Sequence, residues 1–133
     1  MNPYYAEVAL RAAHRCEYCR APEAVFNFPF EVEHIIPTVA KGADALDNLA
    51  LACRACNLRK ADHMAARDPE TAAEVRLFHP RLDRWEEHFA IQIESAIVYG
   101  LTPIGRATVA DLGMNVASQL AARIQWVRLG LFP

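Results

Sequence analysis

The sequence predicts an α+β fold that is held together through four cysteines, and three observations support this prediction. Good helix formers with apolar residues four apart occupy residues 4–14, and a similar helical pattern returns from residue 103 onward. A segment rich in aromatic and β-branched residues, 26–36, and a short apolar segment, 48–52, favour strands between these helices. Two C-x-x-C pairs flank the predicted strands, so these cysteines connect the helical and strand parts of the chain.

Composition indicates one ordinary globular domain over residues 1–133. Apolar residues make up 53% of the chain and charged residues 23%, which argues against global disorder. The net charge is −2, a balance that does not by itself indicate a nucleic-acid-binding protein. No apolar run is long enough for a membrane span and the first residues do not have a signal-peptide pattern, so we expect a cytoplasmic protein.

The front half of the chain alternates between helical, extended and loop patterns. Pro29 is acceptable only at an edge or break of its predicted strand, and Pro37 ends that strand. In chain order, the predicted elements are a helix at 4–14, a strand at 26–36, a loop at 38–47, a strand at 48–52 and a helix at 57–66.

The back half is less regular until residue 102. Residues 73–78 fit either a strand or a helix, and 82–93 show no clean period. A helix should begin with Thr102 as N-cap and Pro103 at its first position, and should stop at Gly113. A final helix is predicted from an apolar stripe formed by Val116, Leu120, Ile124, Val127 and Leu131.

The cysteines form two pairs, Cys16/Cys19 and Cys53/Cys56, which is the usual way to supply four thiolates to one zinc ion. Residues 20–52 separate the pairs, a longer interval than the roughly 15–20 residues of a simple zinc ribbon. Reduced thiols, disulfides or a redox switch are the alternatives. A closed four-cysteine site has no open coordination position, so we expect a structural zinc and any catalysis elsewhere.

Four motifs in order carry a resemblance to a known family: C-E-Y-C at 16–19, E-H-I-I-P at 33–37, K-G-A-D-A-L-D-N-L at 41–49 and C-R-A-C-N-L-R-K at 53–60. In these motifs the chain resembles the HNH (His-Me finger) endonucleases of the bacterial type with two zinc knuckles. The resemblance implies a ββα-metal core at 16–66, held by the four-cysteine zinc site. Residues 67–133 would then be a C-terminal packing extension that contributes additional helices.

The resemblance also implies catalytic roles. His34 matches the general base, which would take a proton from the attacking water; an ordinary imidazole pKa of about 6.5 suits that task. Glu33 and Asn57 match the ligands of a divalent cation, and their oxygen atoms favour Mg²⁺ or Mn²⁺ over a catalytic zinc ion. Asn48 matches the residue that holds the loop and orients the histidine. Since adjacent strand residues point to opposite faces, Glu33 and His34 can share one centre only if the strand bends or ends there.

The implied substrate is a nucleic acid, with DNA the expected one, cleaved by metal-dependent hydrolysis. Arg54, Arg59 and Lys60 lie where phosphate contacts are expected, with Arg67 nearby. Because the net charge is −2, either this local basic strip binds the substrate or a protein partner presents it. The rival hypothesis is a zinc-stabilised module that binds nucleic acid or protein without catalytic activity. The oligomeric state is left open.

Some histidines and arginines outside these motifs are predicted to be structural or solvated. Trp85 and Phe89 are four apart and suggest core packing. The neighbouring residues His79, Arg81 and His88 would contact nucleic acid if they have a function. For the arginines of the two C-terminal helices, Arg106, Arg123 and Arg128, exposure to solvent is the expectation.

Overall fold

The structure is a computed structural model that describes residues 1–133 as a mixed α/β protein. Its helices are α1 (Tyr5–Arg11), α2 (Arg54–Lys60), α3 (Trp85–His88), α4 (Pro103–Asp111) and α5 (Ala117–Arg128). Its strands are β1 (Glu31–His34), β2 (Leu49–Ala52), β3 (Ala65–Arg67), β4 (Glu74–Arg76), β5 (Phe89–Gln92) and β6 (Ile97–Gly100). None of the helices has the length and apolar character that crossing a bilayer requires.

The strands form three separate antiparallel pairs, β1–β2, β3–β4 and β5–β6. In the first pair the register runs from Glu31 opposite Ala52 to His34 opposite Leu49. Every residue of β2 is buried, whereas β1 buries only Glu33 fully. Both α1 and α2 pack on this pair, so β2 forms the centre of the front half of the molecule.

The predicted strand at 26–36 is shortened to β1, because its aromatic residues pack against each other instead of pairing. The rings of Phe26 and Phe30 lie 4.9 Å apart, and Phe26 also contacts Trp126 of α5. The backbone N–H of Phe30 donates to a Glu23 carboxylate oxygen at 2.7 Å rather than to a strand. Pro29 lies between these positions and has no N–H to donate to a neighbouring strand.

The helix predicted at 57–66 begins earlier and ends earlier, as α2. Cys53 is its N-cap, and the Cys53 sulfur accepts a hydrogen bond from the backbone N–H of Cys56. Ala61 has a φ of 47°, which ends the helix. Residues 65–67 then form β3 paired with β4, so tertiary pairing overrides the helix propensity of this alanine-rich segment.

The prediction for α4 is confirmed. The Thr102 hydroxyl oxygen accepts a hydrogen bond from the N–H of Gly105 at 3.0 Å, and Gly113 adopts a φ of 57° just beyond the helix. The apolar stripe predicted for α5 is only half-buried or exposed, however, and the buried residues of that helix are Arg123 and Trp126. The expectation that Arg123 is solvated is wrong, because its guanidinium donates to backbone carbonyls inside the protein.

The front and back halves of the chain pack against each other. Within the back half, Asp68 is fully buried and accepts two hydrogen bonds from Arg106 of α4, at 2.9 and 2.8 Å. The indole N–H of Trp85 donates to the carbonyl of Tyr18 at 2.7 Å. Trp85 and Phe89 both lie in the core with ring centroids 5.0 Å apart, which confirms that part of the prediction. Residues 64–133 therefore support the segment that carries the candidate site.

Candidate metal centre and active site

Four buried cysteines converge between the turn that follows α1 and the junction of β2 with α2. Cys16, Cys19, Cys53 and Cys56 are all buried, and their sulfur atoms all lie within 4.8 Å of one another. The sulfurs of Cys19 and Cys53 are 3.7 Å apart. A tetrahedron with Zn–S bonds of about 2.3 Å has an edge of about 3.8 Å, so this donor set fits a zinc ion.

Backbone geometry supports the same interpretation. The N–H of Cys19 points to the Cys16 sulfur at 3.5 Å, and the N–H of Cys56 points to the Cys53 sulfur at 3.4 Å. Such donors stabilise the negative charge of thiolates. Because four sulfurs would occupy all four coordination positions of a tetrahedral zinc ion, the site would be closed and structural. It would join the two knuckles to the β1–β2 pair.

His34 lies at the C-terminal end of β1, on the opposite face of the strand from Glu33. Its ring atom Nε2 is 3.2 Å from a carboxylate oxygen of Asp44, whose side chain is 67% exposed. The sequence prediction did not assign a role to Asp44. The available signal was its position in the K-G-A-D-A-L-D-N-L motif, within the loop that returns from β1 to β2.

Asn48 fixes that loop. Its side-chain oxygen accepts from the N–H of Ile36 at 2.9 Å, and its amide donates to the carbonyls of Ile36 and Ala43 at 3.0 and 2.9 Å. Gly42 is required at this crossing, because a Cβ there would lie 1.7 Å from the carbonyl oxygen of Ile36. Asn48 thus holds both ends of the loop that places Asp44 beside the histidine.

Glu33 faces the interior. Lys60 of α2 lies 3.2 Å from one of its carboxylate oxygens, and the Tyr18 hydroxyl donates to the other. Burial raises the pKa of Glu33, and the nearby Lys60 ammonium acts in the opposite direction. The Lys60 ammonium also contacts the backbone carbonyls of Ile35 at 2.9 Å and His34 at 3.4 Å.

The two expected cation ligands, Glu33 and Asn57, have different surroundings. The β1–β2 register continues through His34 without a bend, so Glu33 and His34 keep opposite directions. Both carboxylate oxygens of Glu33 already have protein partners. Asn57 is half-buried, and its side-chain amide forms no hydrogen bond within the chain. In this arrangement the carboxylate of Glu33 is bound to Tyr18 and Lys60, whereas the amide of Asn57 has no partner in the chain.

The predicted phosphate contacts divide into two kinds. Arg54 and Arg59 are exposed and form no ion pair, and Arg67 on β3 is exposed as well. Lys60 is 1% exposed and its three N–H donors face three acceptors, so it does not reach solvent and its predicted phosphate contact is incompatible with this placement. Asn57 lies in the middle of α2, three residues after its start, rather than opening the helix as the sequence suggested.

The histidines and arginine near α3 have structural partners. Arg81 forms an ion pair with Glu17. The ring atom Nδ1 of His88 lies 2.6 Å from the hydroxyl of Thr102, the residue that caps α4. Nδ1 of His79 accepts from two backbone N–H groups that follow it. The Arg81–Glu17 pair thus holds the loop before α3 against the first cysteine knuckle, His88 connects α3 to the start of α4, and the contacts of His79 are local.

The segment is a small α/β unit that contains a buried four-cysteine cluster able to hold a metal ion, an antiparallel strand pair with His34 at one end, and a following helix. The family model described as HNH endonuclease matches residues 16–63 of the chain. This segment contains all four cysteines, β1, β2 and α2, and it confirms the resemblance drawn from the motifs. No curated protein and no solved structure matches the chain.

Proposed function

We propose that the chain is an endonuclease that hydrolyses phosphodiester bonds of a nucleic acid, with DNA as the expected substrate, and that β1, β2 and α2 form a ββα-metal core. The observation that carries this proposal is the pairing of His34 with Asp44 at an accessible strand end inside the HNH-matched segment. The closed cysteine cluster supplies the structural zinc site, and the chemistry takes place at the histidine.

His34 acts as the general base. Its Nε2–H donates to Asp44, which leaves the lone pair of Nδ1 to accept a proton from a water molecule. The carboxylate fixes the tautomer and the ring orientation. Asn48 acts indirectly, because it holds the loop that carries Asp44. A divalent cation, Mg²⁺ or Mn²⁺, would stabilise charge on the phosphoryl and leaving oxygens when bound.

The binding surface is small. Arg54 and Arg59 of α2 are free to contact phosphates, whereas Lys60 is not. Of the two expected cation ligands, Asn57 has a free amide and Glu33 does not. With few free basic groups and a net charge of −2, the chain binds nucleic acid weakly at physiological salt unless a protein partner presents the substrate.

The test is cleavage of supercoiled plasmid and of single-stranded DNA with Mg²⁺ or Mn²⁺, with EDTA as a control. We expect His34→Ala to lower the rate by about 10²- to 10⁴-fold. The matched control is His14→Ala, since His14 forms the same kind of contact with Glu23, at 2.6 Å, outside the site. Full activity of His34→Ala, or equal losses in both variants, would refute the assignment of the base.

A second candidate function is a zinc-stabilised binding module without catalytic activity. The specific observation that favours it is the Glu33–Lys60 ion pair, which occupies a carboxylate that the resemblance assigns to the cation. Nucleic-acid binding without cleavage, at any tested concentration of Mg²⁺ or Mn²⁺ and on RNA as well as DNA, would support this second function and exclude the first.

A further inference from the structure

A cavity of about 200 Å³ opens beside the C-terminal end of β1. Its walls are mainly apolar, and three large apolar side chains at its opening, Ile36, Met64 and Leu82, are between 40% and 78% exposed. Grouped exposed apolar residues are a feature of ligand-binding grooves. The volume is below the roughly 300–1,000 Å³ of clefts that hold drug-sized ligands, so the occupant is a small ring rather than a larger molecule.

His79 gives the cavity one polar group that is free to bind a ligand. Its Nδ1 accepts from the backbone N–H groups of Arg81 at 3.2 Å and Leu82 at 3.3 Å. The ring proton is therefore on Nε2, which has no partner within the chain. Partial burial lowers the pKa of His79, which favours the neutral ring. Nε2–H of His79 is thus an N–H donor without a partner in the lining of a mainly apolar cavity.

The charged groups around the cavity already have partners. The Lys60 ammonium is bound to Glu33 and to backbone carbonyls. Arg76 forms two hydrogen bonds with Asp83, at 2.6 and 2.8 Å. His63 is 2.9 Å from a carboxylate oxygen of Asp111. The cavity therefore does not suit a phosphate group, and it suits a neutral planar ring that carries a hydrogen-bond acceptor.

The cavity adjoins the C-terminal end of β1, the strand end that carries His34, although His34 does not line it. Ile35 and Ile36, which line it, directly follow His34 in the chain. Two residues of extended chain span at most about 7 Å, so the part of the cavity wall formed by Ile36 lies beside the strand end that carries His34. A nucleobase is neutral, planar and rich in acceptors, and it is linked covalently to that phosphodiester. A paired base has no access to such a pocket unless it leaves the stack.

We propose that this cavity binds one unpaired nucleobase of the substrate, next to the bond that is cleaved. The proposal rests on the proposed nuclease function and deepens it, because it makes single-stranded or locally unpaired nucleic acid the preferred substrate. The base lies between Ile36, Met64 and Leu82, and Nε2–H of His79 donates to one of its acceptors.

The experiment uses single-stranded DNA oligonucleotides that each contain one abasic site at a different position. Binding to the His34→Ala protein is measured by fluorescence anisotropy in the presence of Mg²⁺. Removing the base at one position should weaken binding about tenfold, as expected for the loss of one stacked base, while other positions have little effect. Equal effects at all positions, or no effect at any, would overturn the proposal.

Two variants separate the cavity from general effects on binding. In the His34→Ala background, Met64→Trp fills the cavity from its half-exposed rim. The oligonucleotide that keeps all its bases should then bind this double variant as weakly as the sensitive abasic oligonucleotide binds the His34→Ala protein. The matched control is Leu58→Trp, at a position that is 62% exposed on α2 and outside the cavity; it should keep the abasic effect. An unchanged abasic effect in Met64→Trp would contradict the binding of a nucleobase in the cavity. An apolar side chain of a protein partner would then be the remaining occupant.

The outcomes also separate this inference from the nuclease proposal. A position-specific abasic effect in a protein whose parent cleaves nothing would support the base pocket and refute the nuclease. Cleavage that depends on His34 but is unchanged by an abasic site at any position would support the nuclease function and refute the nucleobase-binding cavity.

Discussion

The ammonium of Lys60 lies 3.2 Å from a carboxylate oxygen of Glu33, and both side chains are at most 5% exposed. This ion pair joins α2 to β1 directly beneath His34, because the same ammonium contacts the carbonyls of His34 and Ile35. The position of the catalytic candidate therefore depends on a buried charge pair, and the outer face of β1 remains free for chemistry.

Replacing Lys60 by methionine should destabilise the protein by about 3–5 kcal/mol, because Glu33 would keep a buried charge without its partner. The double variant Lys60→Met/Glu33→Gln should recover part of that loss, since it removes both charges. Urea unfolding followed by circular dichroism measures both effects. A change below about 1 kcal/mol in the single variant would show that Lys60 is solvated in the native state.

Asp44→Asn should lower the cleavage rate by about three- to tenfold, because an exposed carboxylate contributes about 1 kcal/mol or somewhat more to the orientation of its partner. Asp47→Asn is the matched control, since Asp47 is exposed in the same loop and contacts no histidine. The plasmid assay compares the two variants with the parent. Equal rates for Asp44→Asn and the parent would mean that this carboxylate does not orient His34.

The purified protein should contain one tightly held zinc ion, and Cys53→Ser should lose it and fail to fold. Structural zinc sites contribute about 10–16 kcal/mol in small domains, which is comparable to or larger than the about 5–15 kcal/mol of stability that a folded protein has. Metal analysis by mass spectrometry and the circular dichroism spectrum give the two measurements. A metal-free protein with a native spectrum and four reactive thiols would contradict this expectation.

Stability should fall as the pH drops below about 4. Hydrogen bonds from Arg106 hold the pKa of Asp68 well below its ordinary value, and hydrogen bonds from Arg76 lower the pKa of Asp83. Each carboxylate therefore stabilises the folded protein above the unfolded-state pKa of about 3.9, and loses that contribution as the pH falls through its lower folded-state pKa. Urea midpoints between pH 2.5 and 6 measure this loss.

In Asp68→Asn the urea midpoint should fall less between pH 6 and pH 2.5, because the side chain of residue 68 no longer titrates. The same variant should be less stable than the parent at pH 6, because it loses the charged pair with Arg106. Asp62→Asn is a control at an exposed position without an ion pair, and it should leave both quantities unchanged. A parent whose urea midpoint stays constant down to pH 2.5 would show that neither carboxylate titrates with folding.

Local signals in the sequence were sufficient for several elements. Thr102, Pro103 and Gly113 predicted both ends of α4, because capping and left-handed glycine chemistry act within a few residues. The C-x-x-C pairs predicted the cysteine cluster, because their spacing alone places two thiols on each knuckle. The strand at 26–36 and the helix at 57–66 were predicted too long. Packing of Phe26 on Phe30 and the pairing of β3 with β4 decided those boundaries.

The sequence by itself determined the mixed α/β class, the four-cysteine donor set and the histidine at the end of a strand, because motif order and local propensity carry that information. Only the tertiary structure decided which side chains meet. It turned Glu33 inward to Lys60, placed Asp44 beside His34 and buried Arg123. These are contacts between residues distant in the chain, and their direction depends on strand register and burial. No local pattern encodes the face to which a charged side chain will point when both faces are partly covered.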